Sequence, residues 1–155
     1  MADINNFAEL KDKQNILTRL KEEVKRSSRY KNKLSVILIE LDDYKELKNN
    51  LDEKSLNEVE VDFIKLIIHN IREVDLVGRL KPQQFLVLCP NTGIMGAKIA
   101  AQRIRKITEF SSFGDSYKIT LSAGVKEYIF EEPDKLLNET KKRLNIAKIK
   151  VKIGL

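Results

Sequence analysis

The chain has 155 residues, enough for one domain with a core of its own. Lys and Arg total 29 against 23 for Asp and Glu, a net charge of +6 with both signs interspersed, which excludes a polybasic arm or an acidic disordered chain. One cysteine, Cys89, and one histidine, His69, exclude an internal disulfide framework and ordinary zinc or haem chemistry.

Residues 1–14 read as a short helical or flexible lead, and 15–155 as a single domain. The opening MADINNFAELKDKQN has no apolar signal-peptide core. No apolar run approaches the roughly 20 residues of a membrane span. The expectation is a cytoplasmic protein without membrane contact. With no tryptophan and 6% aromatic residues, a base-stacking surface is not expected, and nucleic acid is not an expected partner.

Residues 15–30 predict an amphipathic helix with Ile16, Leu17, Leu20 and Val24 on one face. LSVILIEL at 34–41 is β-branched and apolar, as in a buried strand. Asp42 and Asp43 follow, with Asp43 placed to cap a helix that runs to Asn49 or Asn50. Residues 56–71 carry Val59, Phe63, Leu66, Ile67 and Ile71 at helical spacing. His69 falls beside that stripe, at a surface or boundary position. Two strands, 74–80 and 84–89, are joined by a turn at Lys81–Pro82–Gln83, and Cys89 ends the second as a small buried hydrophobe. Asn91–Thr92–Gly93 opens a helix to about Glu109, with Ile99, Ile104 and Ile107 expected inward. Tyr117 to Tyr128 predicts one long strand interrupted at Ala123–Gly124. Pro133 starts a helix to about Lys148, where Leu144, Ile146, Ala147 and Ile149 look like packing residues. Val151–Lys152–Ile153 predicts a last short strand. Strands alternating with amphipathic helices around one hairpin indicate an α+β domain: a mixed, mainly antiparallel sheet with helices on both faces, related to the ferredoxin-like arrangement.

The segment Ile39–Glu40–Leu41–Asp42–Asp43–Tyr44–Lys45 resembles the first-strand motif of GGDEF domains, the diguanylate cyclases, where Ile-Asp-Ile-Asp-x-Phe-Lys is usual. Arg79–Leu80–Lys81–Pro82–Gln83–Gln84–Phe85 falls where that family has Arg-Tyr-Gly-Gly-Asp-Glu-Phe. Leu17–Thr18–Arg19–Leu20, Ile71 to Val77, Thr120 to Val125, and Leu144 with Ala147–Lys148 add weaker similarities in the same order. The resemblance implies a nucleotide-cyclase-like fold. It also implies two magnesium ions, held by the first-strand Asp and the hairpin Glu, that join two GTP into cyclic di-GMP between facing domains.

Several implied positions differ here. Glu40 stands at the first metal carboxylate and is a residual metal candidate, one methylene longer, although Mg²⁺ demands near-ideal octahedral geometry. Gln84 stands at the second and Gln83 at the neighbouring acid, so both charges of the turn are gone. Lys81 and Pro82 replace the two glycines, and proline fixes φ and has no N–H to offer. In the implied guanine pocket, Lys48–Asn49 stands where the family has Asn-Asp, and Lys48 is donor-only. Asn57 stands at the later guanine-reading Asp, and Asp52–Glu53 replaces Gly-His before it. Lys148 matches a phosphate-contacting lysine, and Lys152 takes the place of a nearby arginine.

Arg72-x-x-Asp75 resembles the Arg-x-x-Asp that in this family forms an inhibitory product site, and the resemblance implies that the Arg grips phosphate or guanine and the Asp accepts from the guanine edge. Arg103 or Arg105 is placed to add a second cation. Without a ligand, Arg72 reads as a cation at a helix C-terminus and Asp75 as a partner for backbone donors.

The expectation is a catalytically inactive, degenerate GGDEF-like regulatory domain of bacterial cyclic di-GMP-type signalling, acting on a protein partner, with homodimerisation open. No cofactor is expected, and magnesium only if GTP binding persists. The alternatives are a cyclic di-GMP or GTP sensor, through Arg72 and Asp75 or a residual pocket of Lys48, Asn57 and Lys148, and a weakly active cyclase. The hairpin Lys81, Pro82, Gln83, Gln84, Phe85 is expected to carry no catalytic residue.

Overall fold

The structure is a computed structural model and describes residues 9–149 and 153–154. Six strands are β1 (Leu10–Lys11), β2 (Leu34–Leu41), β3 (Leu76–Lys81), β4 (Gln84–Pro90), β5 (Leu121–Glu127) and β6 (Ile153–Gly154). Five helices are α1 (Lys13–Tyr30), α2 (Tyr44–Asn50), α3 (Glu53–His69), α4 (Ile94–Phe110) and α5 (Pro133–Ile149). The strands form one sheet in the order β1-β3-β4-β2-β5-β6. The four inner strands are antiparallel, and the two-residue edge strands β1 and β6 pair in parallel. No helix among the described residues is long and apolar enough to cross a membrane.

The period-two pattern of β2 sets the layers, because alternate side chains point to opposite faces. Ile37, Ile39 and Leu41 face a core completed by Val59, Phe63 and Ile67 of α3 and Ala97, Ala101 and Ile104 of α4. Leu34, Val36 and Leu38 face a second core built with Ile16, Leu20 and Val24 of α1 and Leu136 and Leu144 of α5. Glu40 shares the parity of this second set, so it points toward α5. Two glycines let helices seat on the sheet. A Cβ on Gly78 would lie 2.2 Å from the Ile16 side chain, and one on Gly124 would lie 2.5 Å from the Leu144 backbone nitrogen.

Several expectations change. The lead assigned to 1–14 contains strand β1 at Leu10–Lys11, and α1 already starts at Lys13. Asp12 caps that helix by accepting from the Asn15 N–H at 2.8 Å, a local signal that places the start. Residues 1–8 lie outside the described residues. In α4 the buried residues are Ala97, Ala101, Ile104 and Thr108, an i, i+4, i+7 stripe. Ile99 is on the far side, 60% exposed, and Ile107 lies at the edge of the stripe, so neither points inward as expected. Similarly Leu144 and Ala147 of α5 are buried, whereas Ile146 and Ile149 are exposed. The long strand expected from Tyr117 begins only at Leu121, because Tyr117 turns back to pair with Phe113. Asp43 occupies the cap position of α2, but in a left-handed conformation (φ 55°) with no side-chain capping bond. In the expected last strand, Val151 and Lys152 lie outside the described residues. His69 is exposed, and Cys89 is buried.

Candidate functional site

The site forms where β2 ends beside the β3–β4 hairpin. Antiparallel register sets Glu40 directly opposite Gln84 on one side and Ser122 of β5 on the other. Gln84 donates its amide Nε2 to Glu40 Oε1 at 3.1 Å. Lys148, from the last turn of α5, places its Nζ 2.5 Å from Glu40 Oε2. Both oxygens of Glu40 are thus engaged, and its side chain is only 12% exposed. Glu40 thus faces inward at this strand end rather than toward solvent. The ammonium of Lys148 supplies the positive charge that a buried carboxylate requires. The Gln84 Oε1 is buried and has no hydrogen-bond partner.

Asp42, just past β2, accepts from Thr120 Oγ1 and Ser122 Oγ, each at 2.7 Å. Among the described residues, no group of three or more His, Cys, Asp or Glu is arranged to hold a metal ion.

The hairpin turns on Pro82 and Gln83, and its register shifts between Arg79 and Lys81. Lys81 and Pro82 are exposed, Gln83 is half-buried, and Gln84 and Phe85 are buried. Arg79 clamps this turn. Its guanidinium donates to the Pro82 carbonyl, pairs with Glu60 of α3 and lies 5.5 Å from the Phe85 ring centroid. Tyr44 of α2 donates its hydroxyl to the same Glu60 Oε2 at 3.0 Å. Burial, together with the Glu60 charge and hydrogen bond, pushes the Tyr44 hydroxyl up to about 12. Sequence reasoning missed this Tyr44–Glu60–Arg79 cluster. Glu60 lies between Val59 and Val61 with no motif to mark it; only the lone Arg79 before the hairpin hinted at a partner.

Arg72 and Asp75 are bound to each other. Arg72 donates from its backbone N and Nε to Asp75 Oδ2, and from a terminal nitrogen to Oδ1 at 2.9 Å. The same guanidinium reaches the Pro90 carbonyl at 2.8 Å and the Thr92 hydroxyl. The Asp75 side chain is 6% exposed, so its acceptors face inward to this turn. The hydrogen bond that Arg72 donates to Asp75 raises the pKa of the guanidinium further. Arg72 lies past the end of α3, so the helix-end reading gives way to this turn brace. Arg103 donates to the Asn70 carbonyl at 2.7 Å, beside the turn, whereas Arg105 pairs with Glu109 on its own helix.

The residual pocket positions Lys48, Asn57 and Lys148 stand on α2, α3 and α5. Asn57 lines a small cleft of about 290 Å³ with Asp62 and Gly114. Lys48 is exposed on α2, outside that lining. Lys148 belongs to the Glu40 corner, and Lys152 lies outside the described residues.

The arrangement of sheet and hairpin has known counterparts. A family model described as the GGDEF domain of diguanylate cyclases matches residues 2–152. Diguanylate cyclase A of Treponema denticola is 30% identical over 127 residues, which is 74% of this chain and 34% of that protein. The active GGEEF domain of a diguanylate cyclase from Vibrio cholerae has the same fold, with a TM-score of 0.87 at 22% identity, covering 93% of this chain and 95% of that one. Diguanylate cyclase SiaD of Pseudomonas aeruginosa, solved in complex with its activator SiaC, also gives 0.87, at 26% identity over 94% of this chain and 58% of that one. The chain belongs to the GGDEF diguanylate cyclase family. It spans about a third of the length of the Treponema relative.

Proposed function

We propose that this GGDEF domain is a catalytically inactive regulatory module of cyclic di-GMP-type signalling and acts through a protein partner. The observation that carries this reading is the closed corner of Glu40, Gln84 and Lys148. Phosphoryl transfer between nucleotides depends on metal charge and positioning. Here a neutral amide stands beside Glu40, and a lysine ammonium already neutralises that carboxylate. The Gln84 oxygen left without a partner is a neutral acceptor, a poor ligand for a hard dication. Pro82 offers no N–H to a phosphate at the turn. These residues do not fit a magnesium pair, so no cofactor is assigned. Arg72 and Asp75 we assign to bracing the turn before β3, since each satisfies the other. That a family relative is known in complex with an activator protein supports a protein-binding role.

The test is to incubate the purified chain with GTP and magnesium and to separate the nucleotides. No cyclic di-GMP is expected, and the thermal midpoint is expected not to rise with magnesium. Clear product formation, or a magnesium-dependent rise that Glu40→Ala abolishes, overturns the inactive reading.

A further inference from the structure

At the end of the sheet away from Glu40, residues 24–33 carry Lys25, Arg26, Arg29, Lys31 and Lys33 and no acid. They form the end of α1 and the turn into β2. The 128–132 turn between β5 and α5 faces them, tied at its start by the Tyr128 N–H donating to the Leu34 carbonyl at 2.8 Å. Between the two runs an open cleft of about 700 Å³, lined by Tyr30, Tyr128, Phe130, Lys25 and Arg29 among others.

Two features of this cleft are unexplained by folding. The first is its apolar content: Tyr30 is 62% exposed and Phe130 61%, two large aromatic side chains that both line the cleft. Exposed apolar side chains gathered at one cleft mark interaction surfaces. The second is the conformation of Phe130. Its φ is 72°, a region that bulky residues avoid. Glu131 holds it there by accepting from the Ile129 N–H at 2.7 Å while pairing with the buried Lys126 ammonium. The ring is thereby held outward, 5.2 Å from Tyr128 and under Lys31 Nζ at 5.1 Å. Backbone strain persists only when the surroundings enforce it, and it gathers at functional positions.

Charge then selects the occupant. Of the acids lining the cleft, Glu22 pairs with Arg19, and Glu131 is consumed by Lys126 and the backbone. Arg26 is paired to Glu23, but Lys25 and Arg29 have no ion-pair partner among the described residues, against Glu132 as the one lining acid without one. The dipole at the end of α1 favours a cation such as Arg29. It does not account for an aromatic edge held outward.

We propose that this cleft docks an acidic peptide segment of a partner protein, one large apolar side chain resting on Tyr30 and Phe130 and flanking carboxylates meeting Lys25, Arg29 and Lys31. The inference gives the protein-binding role proposed above a surface and rests on that reading for its purpose. Its geometry is separate from the Glu40 corner, so cyclase activity and peptide docking fail independently.

The probe is a random-peptide library displayed on phage, selected on the whole chain. Selected peptides are expected to be net negative around one large apolar residue. Synthesised, they should bind more weakly in high salt and lose about tenfold in affinity with Phe130→Gly and with Arg29→Glu. Glycine suits a φ of 72°, so Phe130→Gly is expected to melt close to the parent and to separate lost docking from lost folding. Amide NMR shifts on peptide addition should cluster at 25–33 and 128–132. Failure to enrich peptides, enrichment of neutral or basic ones, binding indifferent to both variants, or shifts elsewhere overturns the proposal. Concentration-dependent shifts at the cleft without peptide would make a second copy of the chain the occupant, and saturable shifts there with cyclic di-GMP would make it a nucleotide site; either result overturns the acidic peptide.

Discussion

Tyr44 and Cys89 are the two side chains whose protonation the fold alters most clearly toward alkaline pH. Burial and Glu60 lift Tyr44 from 10.0 to about 12, and burial with the Asp75 charge lifts Cys89 from 9.0 to about 12. In each case the folded chain holds a proton that the unfolded chain gives up sooner. The stability from these groups is whole below pH 9 and is lost as pH rises toward 12. Unfolding free energy measured in urea should fall across that window. In a titration of tyrosinate absorbance, one of the four tyrosines should lag, and Tyr44→Phe should remove the lagging step. No lag, or a lag that survives Tyr44→Phe, contradicts the assignment. At this same scale the sequence revealed which residue types stand at the corner: Glu40, Gln84 and Lys148 could all be named from the chain. Their mutual satisfaction was not legible, because the three are brought together by strand register and by the last turn of a distant helix.

The hairpin is the element on which the functional reading turns. Two residues close it, and Arg79 holds it from three sides, through the Pro82 carbonyl, the Glu60 carboxylate and the Phe85 ring. The Arg79 and Glu60 side chains are 19% and 12% exposed, so removing the guanidinium leaves a largely buried carboxylate without its cation. Arg79→Ala should cost about 2–4 kcal/mol in urea unfolding, and Arg79→Lys should recover only part, since an ammonium cannot serve the carbonyl and the carboxylate in one plane. A cost near zero would show that the clamp is incidental. The helices show how far periodicity carries. In α1 the apolar spacing named Ile16, Leu20 and Val24 correctly. In α4 isoleucine drew the expectation to Ile99 and Ile107, whereas alanines and Thr108 face the sheet, because a helix that packs closely needs small side chains at the contact.

At the level of the whole molecule, two cores share one sheet, and close backbone contacts set the distance between layers. Gly124 is where α5 sits on β5. Gly124→Val would drive a side chain into helix backbone that cannot yield. Overpacking of this kind costs about 1–3 kcal/mol even where side chains can shift, so the loss here should reach or exceed that range in a denaturant melt. The same displacement should weaken the Lys148–Glu40 contact, which depends on where α5 lies. A variant as stable as the parent would show that the layers can part without cost. Composition, the apolar β-branched run of β2, the helical spacing of apolar residues and the ordered motif similarities were enough to name the α+β architecture and the family, because those signals are local. Pairing across the sheet is different in kind. That Glu40 is neutralised by Lys148, that Arg72 also reaches Pro90 and Thr92, and that the Phe130 ring lies under Lys31 all depend on residues far apart in sequence, and no local pattern encodes the distance between them.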